Sequence, residues 1–431
     1  MPFSRTQSET QGVTRRRQIS RSDLAQLAKR TFDPFQVLRE SNKDRIAKLL
    51  PIKFKLMSAS PFVFYRGSVE IMAADLAAGP HTGIEAQLCG DAHVKNFGFY
   101  ATPGSDIVLD VNDFDETIRG PWEWDVKRMA TSIVLAGREA GDKESKCKDA
   151  TFEFISGYCQ WIQRFAEMPT LEVARHRIMR NYRDPVMRAA LAKAERTDPI
   201  VNLQKLTAKT KNGRRFRFQP NALWEIEGKT RNVVLAALKS YRATLSPDHQ
   251  FLFDRYRPAD VGFKVVGTGS VGTRDYVVLL FGRDENDPLF LQVKEEPPSH
   301  YAPYLKDLSA PAHQGERVVR GQRSLQVLSD LFLGWCSIDN RDYLVRQLND
   351  HKSSIDPEDL QGKRLIEYSR VCAELLAKGH ARSGDPVMLA AYLGRSQKAA
   401  GALHDFALQY ADRVEADHEQ FQKALKQGRL S

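Results

Sequence analysis

The stretch "LCGDAHVKNFGFY", residues 88–100, sets Asp91, His93, Lys95 and Asn96 within six positions of an otherwise apolar run that ends in aromatics. A second polar stretch, "IVLDVNDFDET" (residues 107–117), follows after a Pro-Gly turn and carries Asp110, Asn112, Asp113, Asp115 and Glu116. Carboxylates in half-buried segments need partners, and cations are the usual ones. In phosphoryl transfer an Asp orients or deprotonates the acceptor hydroxyl, an Asn a few residues on binds magnesium, and an Asp on the next β-turn binds the metal between the phosphates. Asp91, Asn96 and Asp113 stand in that order, with Asp115 beside the last and His93 beside the first. Magnesium takes oxygen ligands and few carboxylates, which Asn96, Asp113 and Asp115 supply. The same residues also admit a hydrogen-bonded turn that stabilises a hairpin, or a metal-dependent hydrolytic site.

The bulk properties frame this reading. A chain of 431 residues, 42% hydrophobic and 27% charged, has room for two or three lobes, each with a core. Its net charge of +10, from 64 basic and 54 acidic residues, suits an anionic partner and equally suits plain solubility. Cys89, Cys147, Cys159, Cys336 and Cys372 are odd in number and lack CxxC spacing, so neither a disulfide framework nor a zinc site is expected, and a reduced cytoplasm is. The basic N-terminus is followed by no apolar segment, and no window approaches the ~18 apolar residues of a membrane span.

Texture divides the chain. Residues 1–20, polar and arginine-rich, read as a mobile basic arm. Residues 21–245 read as a mostly helical catalytic region, with strands and loops from 61 to 116 where short apolar runs are separated by Gly and Pro. Within it, "TKNGRRFRF" (210–218) reads as an exposed basic loop; its interleaved Phe residues would stack single-stranded nucleic acid, but a solvated loop or a loop over a cleft is the plainer expectation. Residues 246–350 turn to β, and 351–431 are helical again.

"CGDAHVKNFG" resembles the HGDxHxxN catalytic loop of aminoglycoside and choline kinase-like phosphotransferases, and "VNDFDE" resembles their IDFDD-type metal segment. "GPWEWDVKRMATS" is similar to the helix that follows in that superfamily, which would make Asp125 the carboxylate that braces the loop. The chain departs from the pattern at Cys89, where the family usually has His, and at Asn112 before the metal Asp. The resemblance implies ATP and magnesium as cofactors, Asp91 as base, and His93 where kinases keep a Lys or His that steadies the transferred phosphoryl.

A kinase needs a nucleotide-binding lobe, and none is found before residue 88. Downstream, "VVGTGSVGTRDYVVLL" carries Gly267, Gly269, Ser270 and Gly272 in G-x-G-x-x-G spacing between two strand-like runs, and "LFLQVKEE" puts Lys294 on a third. Such glycines let backbone N–H groups approach phosphates, and a strand lysine holds them; a bare hairpin turn has the same spacing. Glu316, at the start of the next helix, would pair with Lys294, with Glu296 competing and a solvated first-turn glutamate as the plainer reading. With catalytic loop first and nucleotide lobe second, the expected fold is α/β (α+β), a protein-kinase-like two-lobed fold, circularly permuted, with large helical content. Arg66 admits a phosphate contact or an ion pair with Glu70 or Asp75. "GHARSGD", with His380, Arg382 and Asp385, reads as a hydrogen-bond network at a helix end or as a second constellation.

The whole chain, from about residue 34 to 420, also resembles a bacterial family of uncharacterised proteins known only as a domain of unknown function. The resemblance rests on "SPFVFYRGS", "NDFDETIRGPWEWDVKRMATS", "GQRSLQVLSDLFLGW", "YLVRQLNDHKSS" and "YADRVEADH", and implies no substrate. The expected activity is ATP- and magnesium-dependent phosphotransfer to an unidentified hydroxyl or amine acceptor. A noncatalytic nucleotide-binding regulator and a nucleotidyl transferase on the same fold are the alternatives.

Overall fold

The computed structural model describes residues 4–430 apart from 105, 178–183, 197–198, 212, 221, 266–268, 306–308 and 349–352. Four strands frame the two polar stretches: β1 (Glu85–Leu88), β2 (Phe97–Ala101), β3 (Ile107–Val111) and β4 (Ile118–Pro121), with β1 antiparallel to β4 and β2 to β3. The register sets Phe97 opposite Val111. Asn96 and Asn112 therefore adjoin, and the Asn112 N–H donates to the Asn96 carbonyl at 2.9 Å. Both polar loops thus leave the same end of one hairpin.

A hairpin of β5 (Thr207–Thr210) and β6 (Gly213–Phe216) comes next. The main sheet follows, built from β7 (Leu223–Trp224), β8 (Arg257–Lys264), β9 (Asp275–Phe281), β10 (Pro288–Glu295), β11 (Gly334–Ile338) and β12 (Arg341–Gln347). Its order is β11-β12-β10-β9-β8-β7, antiparallel throughout. The short β13 (Ser353–Ser354) returns to pair with β2.

Helices form the rest. α1 (Arg5–Gln18), α2 (Pro34–Ser41), α3 (Leu50–Met57), α4 (Pro61–Gly67) and α5 (Val69–Ala77) precede β1. α6 (Trp122–Glu139), α7 (Glu144–Glu167), α8 (Thr170–Arg175), α9 (Pro185–Glu195) and α10 (Pro199–Leu206) lie between β4 and β5. α11 (Gly228–Arg242), α12 (Pro247–Phe253) and α13 (Gln314–Leu325) belong with the main sheet, and α14 (Lys363–Ser383), α15 (Pro386–Leu393) and α16 (Lys398–Lys426) end the chain. Trp122 to Gly137 of α6 are all buried, wrapped by α7, α14 and α16 in one apolar core.

β9 and β10 are covered on both faces, which explains their nearly unbroken apolar sequence. Tyr276, Val278 and Leu280 share one apolar cluster with Val234, Leu238 and Tyr241 of α11, while Val277 and Leu279 share another with Leu203 of α10 and Phe216 of β6. The sheet unit therefore begins before the expected boundary at 246: β7 and α11 are part of it, because the inner strands need that cover. The basic stretch 210–218 is likewise not a free loop. It lies on the β5–β6 hairpin and buries Phe216 against the sheet.

Two further expectations are corrected. The segment 61–77, read as strands and loops, is α4 and α5; Ser60 accepts the Val63 N–H at 3.1 Å and Pro61 occupies the first helical turn, a strong local helix start. Residues 5–18 form α1, docked on α15, where a mobile arm was expected. Ser4 and Gln7 make a reciprocal cap, and Ser8 donates to Asp385 at 2.5 Å. Gly12 permits the docking: a Cβ there would lie 2.2 Å from the Met388 carbonyl oxygen. Gly12→Val is expected to release α1 while the body stays folded, seen as rapid trypsin cleavage at Arg15–Arg17 at an unchanged melting transition of the remainder; equal resistance in wild type and variant would mean that α1 is held by its other contacts.

Candidate active site

Gly90 begins the first polar loop. Its φ is +82°, and a Cβ would fall 2.2 Å from the Glu116 carbonyl oxygen, so the two polar loops touch where only glycine fits. Asp125, buried in the first turn of α6, accepts the Cys89 N–H at 2.7 Å and the Gly90 N–H at 3.0 Å, the bracing role expected of it. The bracing runs through the backbone, so it does not depend on which side chain stands at 89. His380 of α14 lies behind it, with Nε2 3.3 Å from Asp125 Oδ2 and Nδ1 2.7 Å from the Tyr158 hydroxyl. Tyr368, also of α14, donates to the carbonyls of Val94 and Phe97 at 2.8 and 3.2 Å. The "GHARSGD" segment is thus a hydrogen-bond network behind the loop: Arg382 donates to the Ser324 and Gln326 carbonyls, and Asp385 caps α15.

Asn96 joins the two polar loops. Its Nδ2 donates to the Asp91 carbonyl at 2.9 Å and the Asp113 carbonyl at 3.1 Å, which leaves Oδ1 for the cleft that Asn96 lines. Asp91 is held by Arg128 of α6, whose Nε is 2.7 Å from Oδ1, and His93 Nε2 lies 3.5 Å from Oδ2. Burial raises the Asp91 carboxyl above its ordinary range against the pull of Arg128. Burial, then Arg66 and Arg128, hold the His93 imidazole well below its ordinary value, so it is neutral near pH 7.

The main sheet brings Lys294 to the same place. Lys294 Nζ contacts the Asp115 carboxylate and lies 4.0 Å from Asp113 Oδ1. Burial would lower this lysine, but Asp113 and Asp115 raise it above the usual range. Burial and the neighbouring Asp113 push the Asp115 carboxyl up to about 6, against Lys294. Ser270 Oγ donates to Asp115 Oδ2 at 3.2 Å, and Gly269 and Ser270 line the cleft. Arg45 pins this turn by donating to the carbonyls of Gly269 and Val271 at 2.9 and 2.7 Å.

Two expected residues lie elsewhere, and one lies outside the described residues. Gly272 has φ +94°; its carbonyl accepts the Ile46 N–H and a Cβ would press on Arg45 at 2.9 Å, so it shapes the turn away from the cleft. Glu316 pairs with Arg320 on its own helix and not with Lys294. One residue on, at 100° around the helix, Arg317 faces inward and donates to the carbonyls of Thr117, Asp115 and Pro297 at 2.6, 2.9 and 2.9 Å. Gly267 falls among the residues that are not described. Glu296 is buried near Lys294, yet neither carboxyl oxygen has a hydrogen-bond partner among the described residues; burial pushes it well above the usual range.

The cleft encloses about 430 Å³, within the ~300–1,000 Å³ of small-molecule sites. Among the described residues, Arg66, Lys95, Lys193, Lys264, Lys294 and Arg346 line it against Asp91 and Asp113, a balance that favours a polyanion. Sequence reasoning missed Arg128, Arg317, Lys264 and Arg346. Arg128 alone had a signal, since it follows Asp125 by three positions and so shares its helix face. A larger cavity of about 1050 Å³, between α1, α8 and the α14–α15 corner, holds none of the buried unpartnered polar atoms found among the described residues.

Fold and site define a mixed α/β protein with a cationic cleft between a helical body and an antiparallel sheet. The chain belongs to the family described as "Uncharacterized protein conserved in bacteria (DUF2252)", which matches residues 45–424. Comparison with curated proteins and with solved structures finds no match. Among the described residues no helix is long and apolar enough to cross a membrane.

Asp125→Asn removes one of two acceptors facing buried N–H groups and is expected to cost about 1–3 kcal/mol, measured by calorimetric melting. A second expectation concerns Glu116, which accepts from His300 Nδ1 at 2.6 Å and from the His300 N–H at 2.8 Å. Burial opposes, but His300 holds the Glu116 carboxyl down at about 2; burial likewise opposes, but Glu116 raises the imidazole. A depressed acid gives stability that is present above its unfolded value of ~4.3 and lost as pH falls; a raised imidazole gives stability that is present below ~6.5 and lost as pH rises through its folded value. The pair is at full strength between those limits, so Glu116→Gln is expected to lower Tm more at about pH 5.5 than at about pH 8.5. Equal losses would mean that His300 carries no charge.

Proposed function

We propose that this chain is a phosphotransferase of kinase-like, circularly permuted fold that uses ATP and magnesium to phosphorylate a hydroxyl or amine acceptor. The observation that carries the reading is the meeting of Lys294, from the sheet, with Asp113 and Asp115 beside the loop of Asp91 and Asn96. Asp91 acts as the base, and Lys294, Ser270 and the Gly269 backbone hold phosphates. Among the described residues no three His, Cys, Asp or Glu side chains are grouped to hold a metal by themselves. Magnesium needs no such group, because it keeps waters and takes phosphate oxygens beside one or two protein carboxylates. Asp113 and Asn96 Oδ1 fit that need, and the buried, unpartnered Asp115 Oδ1 adds a third oxygen. Bound there, magnesium neutralises charge on the phosphates.

Two further features support the kinase-like reading. The sheet runs β8-β9-β10-β12-β11, with the glycine turn between β8 and β9, Lys294 on β10 and α13 between β10 and β11. α14, which follows the sheet in sequence, braces the 89–96 loop through Tyr368 and His380, as a permuted chain requires. The cytoplasm fits such an enzyme, and the five cysteines are free.

The ion pair of Asp91 with Arg128 favours a second reading, a nucleotide-binding regulator, since a carboxylate held by a guanidinium is a poorer base. Calorimetric titration with ATP, with and without magnesium, tests nucleotide binding, and product analysis separates transfer from binding alone; release of pyrophosphate would assign nucleotidyl transfer. Asp113→Asn is expected to abolish magnesium-dependent binding while stability changes by less than about 1 kcal/mol, because Asp113 is 45% exposed and its lysine is 4.0 Å away. Binding intact in Asp113→Asn, with a stability loss as large as that of Asp125→Asn, would return the carboxylate cluster to a structural role.

A further inference from the structure

Arg66, in the last turn of α4, lines both the main cleft and a smaller cavity of about 60 Å³ bounded by Asp91, Asp113, Asp115, Gly269 and Ser270. Its guanidinium lies 5.8 Å from the Phe62 ring centroid, its Nε is buried without a hydrogen-bond partner, and it makes no ion pair among the described residues. The carboxylates whose charge reaches it are engaged elsewhere: Asp91 is held by Arg128, Asp113 faces Lys294, Glu139 accepts from Ser60 and Asp356 pairs with Lys95. Glu70 and Asp75, the partners expected from the sequence, accept from Ser41 and from Arg30, Arg413 and Tyr410. His93, edge-on to the same Phe62 ring at 6.5 Å, also has a buried, unpartnered Nδ1. Arg66 is half-buried at the cleft with a desolvated Nε and no anion, which is costly, and two orphaned polar atoms on one aromatic shelf point to a ligand that satisfies them.

We propose that Arg66 is a catalytic residue that binds the oxygens of the phosphoryl group in transfer, with His93 beside it. The inference rests on the phosphotransferase reading and adds to it the group that the shelf receives. Arg66 stands at a cavity shared by Asp91, the base, and Asp113, the metal carboxylate, so the group between them is the one that moves. In the step, the acceptor oxygen or nitrogen bonds to the γ-phosphorus and the bond from phosphorus to the β–γ bridging oxygen breaks. ADP leaves with that electron pair, and the acceptor proton passes to Asp91. Charge spreads over three equatorial oxygens as this happens, and the planar five-donor fork of arginine matches them where a single ammonium does not.

The test compares ATP and ADP binding, each with magnesium, by titration calorimetry in wild type, Arg66→Gln, Arg66→Lys and Lys294→Gln. Arg66→Gln is expected to weaken ATP about 10- to 100-fold and leave ADP unchanged, because only ATP carries the group Arg66 touches. Arg66→Lys restores part of the loss, and Lys294→Gln weakens both nucleotides. Equal losses for ATP and ADP in Arg66→Gln at an unchanged Tm, or no loss at all, overturn the inference but keep the phosphotransferase reading. Wild-type protein that binds neither nucleotide overturns both. If Arg66→Gln melts early, the Arg66→Lys ratio of ATP to ADP affinity decides: a ratio equal to that of wild type after substitution to a point charge sinks the role.

Discussion

A buried carboxylate must be satisfied by hydrogen bonds, and Asp125 finds its partners in the loop whose shape it then fixes. It accepts two consecutive backbone N–H groups, of Cys89 and Gly90, from the buried first turn of α6, where the helix dipole favours its charge. His380, 255 positions further along the chain, ties the same carboxylate to α14. From this anchor the loop can only turn one way, with Asp91 toward Arg128 and Asn96 across to the second polar loop. Gly90 completes the constraint, since no side chain fits against the Glu116 carbonyl.

Around that rigid loop the charges are divided between two bodies. The helical body carries Asp91, Asp113 and Asp115, and the sheet carries Lys264, Lys294 and Arg346. Lys294 serves as counter-ion to two carboxylates that would otherwise repel each other. Ser270 and Arg317 add charge-assisted hydrogen bonds across the same seam, to the Asp115 carboxylate and to the carbonyls of 115 and 117. The contacts that hold sheet to body are therefore also those that shape the cleft, and a ligand that competes for Lys294 acts on both at once.

How much of this was legible depended on whether a signal was local. The triad Asp91, Asn96 and Asp113 was legible because loop and hairpin lie within some thirty residues and share one register. Asp125 was legible by resemblance, and the strands of the main sheet by their β-branched content. Glu316 was named beside Lys294 against its plainer reading as a first-turn glutamate, because a charged residue at a helix start carries no mark of which face turns inward; that was decided by the carbonyls awaiting Arg317. Gly272 was misjudged because a glycine spacing marks a turn and not what the turn faces. Residues 61–77 read as strands since their dense aromatic and apolar content has no visible period when nearly every face is buried. Docking of α1 rests on one glycine against a carbonyl from α15, a contact between chain ends that local reading cannot see.

The sequence alone determined which groups are available: side-chain oxygens at 91, 96, 113 and 115, a strand lysine at 294, and five cysteines without metal or disulfide spacing. Those follow from residue types and short spacings, which survive any arrangement of the rest. Tertiary structure decided the pairing of Lys294 with Asp115, the guanidinium of Arg128 on Asp91, and the unpartnered Arg66 at the shared cavity. The physical reason is that charge interactions depend on distance and burial, and both are set here by helices and strands that meet only after the whole chain has packed.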